Sequence, residues 1–164
     1  MFSNKIRNKK LIQEFADVLP NRNSVGDLIE SKPVKAKDEN MYIILHIQFS
    51  NEDGTLSHRG RYEIQNNKYK KIGELKYVLF ENSDPVYMKL CDINFDRKYR
   101  NIGLGSIVMN LFELRAKSYD AHHITGNLSS VDSETPADEK LRNTFYLKRG
   151  YQIINSNRIY KELQ

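Results

Sequence analysis

One cysteine, Cys91, is all that this chain of 164 residues contains. An internal disulfide and a thiolate-rich metal centre are both excluded by that count. Long apolar runs are missing as well. No stretch approaches the roughly 18 consecutive apolar residues of a membrane-spanning helix. The charged residues 1–10 are not followed by the apolar segment of roughly 7–15 residues that makes a signal peptide. The expectation is therefore a soluble, cytoplasmic protein without a membrane partner. Internal repeats and low-complexity blocks are absent, and so is any Gly-x-x-x-x-Gly-Lys-Ser/Thr run, which excludes a P-loop of the Walker type. Positive charge exceeds negative by a net +5, but it is scattered, with clusters only at 5–10, 68–71 and 97–100. No helix-turn-helix pattern or aromatic-basic interleaving accompanies it, so nucleic acid is not indicated. A moderate positive excess suits a polyanionic small ligand equally well.

With 39% hydrophobic and 29% charged residues, the chain can build one folded domain and is too short for two comfortable ones. Residues 5–19 carry Ile6, Leu11, Ile12, Phe15, Val18 and Leu19 at near-helical spacing, closed by Pro20. Residues 20–40 are polar, contain Pro33, and read as a loop with at most one helical turn around Val25–Ile29. Residues 41–49 form a strong strand, and Asn51-Glu52-Asp53-Gly54 a turn. A weaker strand over 59–65 and another over 71–81 follow, and Asn82–Pro85 turns into a strand over 86–95. Short strands joined by turns at this spacing predict an antiparallel meander.

From Leu104 the period changes. Leu104, Ile107, Val108, Leu111 and Phe112 fall on one helical face, predicting a helix over 104–119. Residues 122–128 read as a strand, so strand, helix and strand make a βαβ crossover with a parallel pair. A polar loop over 129–136, a helix over 137–149 stopped by Gly150, and two short strands at 151–154 and 158–163 complete the chain. The fold class expected is α+β, with one mixed central sheet flanked by helices.

Between the strand ending at Phe95 and the helix beginning at Leu104 stands Arg100-Asn101-Ile102-Gly103-Leu104-Gly105. A glycine turn that opens a helix gathers backbone N–H groups around one concavity and makes an anion site, most naturally for phosphate. A dinucleotide fingerprint would need a third glycine where Val108 stands. The Arg-x-x-Gly-x-Gly spacing resembles instead the pyrophosphate-binding motif of the GNAT superfamily, the acyl-CoA-dependent N-acetyltransferases. A second segment, Phe145-Tyr146-Leu147-Lys148-Arg149-Gly150-Tyr151, resembles the other recurrent GNAT element, a late helix ending in Phe/Leu-Tyr-x-Lys-x-Gly-Phe/Tyr. The resemblance covers residues 75–163. It implies a single GNAT-like domain, in which 1–40 add a helix and a polar loop and 41–164 form the acyltransferase core.

The resemblance implies acetyl-CoA as acyl donor and a primary amine, of a small molecule or a protein, as acceptor. It assigns backbone contacts with the pyrophosphate to Asn101, Ile102, Gly103, Leu104, Gly105 and Ser106, and backbone contacts with the pantetheine to Ile93 and Phe95. Arg100 adds a charge contact or is simply solvated. Tyr146 matches the position that protonates the departing thiolate, or else it only orders the pantetheine channel; Tyr151 is expected in the core. A general base is not singled out. Strand alternation puts Lys89, Cys91 and Ile93 on the face of Phe95, and Asp92 and Asn94 on the other. Asp92, Asp132, Glu134, His122 and His123 are candidates, and proton loss to water needs none of them. Cys91 is expected to be a small buried hydrophobe. His122 and His123, adjacent on a strand, should face opposite ways and share no metal ion. A non-catalytic module that binds or senses acyl-CoA is the alternative function, and a homodimer is left open.

Overall fold

A computed structural model describes residues 27–50, 56–128 and 135–164. The helix expected over 5–19, the turn at 51–54 and the candidate bases Asp132 and Glu134 lie outside the described residues. The chain is α+β, with a sheet of strand order β1-β2-β3-β4-β5-β6-β8-β7. Its contacts divide it into two compact units. Of the described residues, one holds 27–50, 56–76 and Asp92–Asn110, and the other holds Tyr77–Cys91, 111–128 and 135–164.

In the first unit, β1 (Asp27–Lys35), β2 (Met41–Ser50) and β3 (Leu56–Gln65) pair antiparallel in sequence order, and the β2–β3 pairing opens the expected meander. The strand β1 lies where a loop was expected. Its sequence gives little warning, because most of its residues are exposed and only Val34 is buried. It forms because β2 is buried on both faces, with every residue from Tyr42 to Ile47 at most 2% exposed. Backbone groups at that depth need partners on both sides, and β1 supplies one set. Its place at the sheet edge is what lets it carry Pro33.

The tips of two hairpins in this unit are built alike. Ala36 N–H donates to the Asn40 carbonyl with Glu39 left-handed, and Asn66 N–H donates to the Lys70 carbonyl with Tyr69 left-handed. Residues of β4 (Lys71–Phe80) and β5 (Tyr87–Phe95) continue the sheet. The Phe95 ring crosses β4 above Gly73, where a Cβ would stand 2.4 Å from Phe95 Cδ1 and 2.9 Å from the Asn94 carbonyl oxygen. Only glycine leaves that space.

In the second unit, β5 pairs parallel with β6 (His123–Asn127) through Tyr87–His123 to Leu90–Gly126, which is the expected crossover. The crossover helix is α1 (Leu104–Ser118). Leu104, Val108, Phe112 and Ala116, each at most 1% exposed, form its buried stripe. Burying a side chain such as Phe112 contributes about 1.5–3 kcal/mol. The helix α2 (Pro136–Lys148) starts at Thr135, whose hydroxyl oxygen accepts from Asp138 N–H at 3.2 Å, with Pro136 in its first turn. The last strands do not follow in sequence order, since β8 (Arg158–Glu162) lies between β6 and β7 (Gln152–Ile154), antiparallel to both.

Candidate functional site

In the first unit, β5 ends at Phe95 and a 3₁₀ turn over Arg97–Tyr99 carries the chain to the glycine segment. Two residues there are left-handed, Asn101 at φ 63° and Gly103 at φ 87°. Asparagine is among the few side chains that tolerate this region, and glycine adopts it at no steric cost. The turn then feeds the helix directly, with Ile107 N–H donating to the Gly103 carbonyl at 3.2 Å. An α-helix leaves its first N–H groups without an acceptor in the helix, and its dipole adds positive potential there. The strand, turn and helix start expected from the sequence are thus all present, and Asn101, Ile102, Gly103, Leu104, Gly105 and Ser106 are consecutive around the bend.

Arg100 is exposed, and its Nε donates to the Phe95 carbonyl at 2.9 Å. The guanidinium thus holds the end of β5 to the turn, a role between the two the sequence left open. A carbonyl oxygen has two lone pairs, so Phe95 keeps an acceptor for a second partner. Ile93 and Phe95 are both half-buried on β5.

Lys37 was not legible from the sequence. Its N–H donates to the Ile102 carbonyl at 2.9 Å, and its side-chain carbons lie 3.4–3.7 Å from where a Gly103 Cβ would be. The tip of the β1–β2 hairpin therefore rests on the glycine turn and lays a lysine stem across it. Two further contacts tie the same turn to this unit. The Tyr99 hydroxyl accepts from Asn66 Nδ2 at 3.1 Å, and the Tyr99 ring meets Tyr42 edge-on at 6.1 Å. Tyr42 in turn donates to Asp38 Oδ2 at 2.7 Å, and burial together with that carboxylate pushes its phenol up to about 12.

Tyr146 belongs to the second unit. It lies in the last turn of α2, 5% exposed, with its ring between Phe145 at 5.3 Å and Tyr151 at 5.6 Å, edge-on to both. The helix closes by a Schellman arrangement, in which Gly150 at φ 84° donates to Leu147 and Tyr151 N–H donates to the Tyr146 carbonyl. Tyr151 is buried, as expected. Burial, then the neighbouring Glu113 carboxylate, drives its phenol well above the ordinary tyrosine value.

Two expectations about β5 and β6 come out differently. Cys91 is exposed rather than buried, because Met88 and Leu90 take the buried face of β5. His122 and His123 do not face opposite ways: their Nδ1 atoms are 3.3 Å apart. The strand begins only at His123, so the two-residue alternation does not govern His122. Asp92 and Asn94 share a face, as alternation requires, and Asn94 Nδ2 donates to Asp92 Oδ2 at 2.7 Å. Among the described residues no group of three His, Cys, Asp or Glu side chains is placed to hold a metal ion. No described helix is long and apolar enough to cross a membrane.

An α+β sheet with an antiparallel first part, a parallel βαβ pair and a glycine turn at the crossover defines a fold class, and that class is the GNAT fold. The solved structures agree over about two thirds of the chain. A candidate acyl-CoA N-acyltransferase from Klebsiella pneumoniae superposes with a TM-score of 0.54 at 17% identity, covering 65% of this chain and 74% of that one. A GNAT family acetyltransferase from Staphylococcus aureus gives 0.52 at 17% identity, over 66% of this chain and 70% of its own. A GNAT family acetyltransferase from Elizabethkingia anophelis, solved with acetyl-CoA bound, gives 0.52 at 16% identity, over 65% and 77%. No family model and no curated protein sequence matches the chain.

Proposed function

We propose that this protein is an acyl-CoA-dependent N-acetyltransferase that moves the acetyl group of acetyl-CoA to a primary amine. The observation that carries the reading is the glycine turn. It combines left-handed Asn101 and Gly103, a helix that starts at once, and a lysine stem across Gly103. A folded neighbour solved with acetyl-CoA bound supports the choice of ligand.

A left-handed Gly103 at the start of a helix, beside a lysine stem, fits a pyrophosphate. Backbone N–H groups of 101–106 would hold it, with Lys37 and the helix dipole supplying positive charge and Ser106 a further hydroxyl donor. Ile93 and Phe95 would offer backbone groups to the pantetheine amides. When bound, acetyl-CoA supplies a thioester activated toward a neutral amine. The Tyr146 phenol is the proposed proton donor to the departing thiolate, and the proton shed by the amine goes to water. A positioned general acid contributes about 10²–10⁴ in rate.

A second reading, a non-catalytic acyl-CoA sensor, is favoured by one observation, the burial and ring packing of Tyr146. Tyr146→Phe separates the two. For an enzyme, thiol release with an amine acceptor should fall by about 10²-fold or more while acetyl-CoA affinity is kept. Thiol release absent from the wild-type protein across an amine screen, with acetyl-CoA bound, would leave the sensor.

A further inference from the structure

Glu113 sits on α1 with its side chain 13% exposed, and three donors from the C-terminal part of the chain converge on it. Arg149 Nη2 donates to Oε1 at 3.1 Å, the Tyr151 hydroxyl donates to the same oxygen at 3.2 Å, and Lys161 Nζ donates to Oε2 at 3.1 Å. Lys161 Nζ also donates to the Arg149 carbonyl at 2.7 Å, which closes the network on itself. Arg149 and Tyr151 belong to the cap that ends α2, and Lys161 reaches that cap from β8 through the Arg149 carbonyl.

That cap is complete without Glu113. Gly150 and Tyr151 already satisfy the carbonyls of Leu147 and Tyr146, and the ring of Tyr151 packs on that of Tyr146 in the usual apolar contact of the motif. Glu113 adds a fixed hydroxyl position for Tyr151 and a fixed guanidinium for Arg149. Burying one carboxylate with two cations is a poor route to stability compared with an apolar trio of the same volume, and what it supplies instead is a unique geometry. The ring held by that geometry is the one that Tyr146 packs against.

We propose that Glu113 is a positioning residue, which through Tyr151 and the capped end of α2 fixes the ring of Tyr146 for proton transfer. The inference rests on the reading of Tyr146 as the proton donor. A proton donor must be held close to its working geometry, and misplacement by about an ångström costs up to 10²-fold in rate. Tyr151→Phe keeps the ring on Tyr146 and removes the bond to Glu113, while Glu113→Gln keeps the shape and removes the charge.

The test is a double-mutant cycle on steady-state acetyl transfer, run below the unfolding temperature of each variant. Glu113→Gln and Tyr151→Phe should each lower kcat by about tenfold, with the KM for acetyl-CoA changed less than about twofold. In a Tyr146→Phe background the same changes should leave kcat where it is, because the group they position is gone. An equal kcat loss in both backgrounds, or a loss confined to KM, would make Glu113 merely structural and overturn the proposal. Should Glu113→Gln fail to fold, the cycle with Tyr151→Phe decides alone. Full kcat in Tyr146→Phe itself would remove the proton-donor reading, and the positioning role with it.

Discussion

Gly103 carries two constraints at once, a left-handed backbone and the Lys37 stem lying against it. Gly103→Ala should therefore destabilise the fold by about 1 kcal/mol through backbone strain alone, and acetyl-CoA affinity should fall as well because a turn relaxed from the left-handed φ presents its N–H groups differently. Denaturant midpoints and calorimetry on the same variant separate the two effects. Lys37→Met keeps the stem and removes the charge. A loss of about 1.4 kcal/mol, or tenfold in Kd, is expected for acetyl-CoA, and none for an acetyl-pantetheine that lacks the phosphates. Equal losses for both ligands would show that Lys37 acts on the turn rather than on the anion. Gly103 was legible because its spacing from Arg100 and Gly105 is local. Lys37 was not, because its contact joins two distant stretches of chain and lysines in polar loops carry no pattern. Gly73 was overlooked for the same reason. Gly73→Ala should cost about 1–3 kcal/mol by pushing on the Phe95 ring and the Asn94 carbonyl.

Among the elements, those with strong periodicity were readable. The stripe Leu104, Val108 and Phe112 announces α1, and the apolar run of β2 announces a strand. The strand β1 was not readable, because an edge strand with one buried residue has no alternation to detect; its partner's unmet hydrogen bonds create it. The order β6-β8-β7 was equally hidden, since two short strands offer β6 similar partners and nothing local chooses between them. The joint of α1 with the chain's last strands depends on Glu113. Glu113→Ala leaves Arg149 and Lys161 without their shared carboxylate and should destabilise by about 3 kcal/mol, measurable in urea.

The strand β6 brings a pH dependence of its own. His123 is stacked between Tyr87 and Tyr160, both at 5.0 Å, with His122 at its edge and Glu162 within ion-pair reach of His122. Burial, then the neighbouring His122, holds its imidazole below the ordinary value of 6.5, with Glu162 opposing. The folded state thus refuses a proton that the unfolded chain accepts. The associated stability is present above 6.5 and is lost as pH falls through the folded value. The urea midpoint should drop between about pH 7.5 and 5.5, and His123→Phe, which keeps the ring stack, should remove that part of the slope. An unchanged slope in His123→Phe would place the dependence elsewhere.

At the scale of the molecule, the fold class was legible because a meander followed by a βαβ pair leaves few arrangements of one mixed sheet. The alternation rule served while residues lay inside a strand, as for Asp92 and Asn94, and failed where the chain had not yet entered one, as for His122. No motif in the sequence pointed to an acceptor. The central claim, that an acyl-CoA is held at the glycine turn, has a direct test in the thermal unfolding of the full chain with and without acetyl-CoA, beside ATP and NAD at equal concentration. At about 100 times its Kd, acetyl-CoA should stabilise the protein by about 2.7 kcal/mol, with ATP and NAD giving less and Gly103→Ala losing most of the gain. No stabilisation by acetyl-CoA, or the same stabilisation in wild type and Gly103→Ala, would contradict the account.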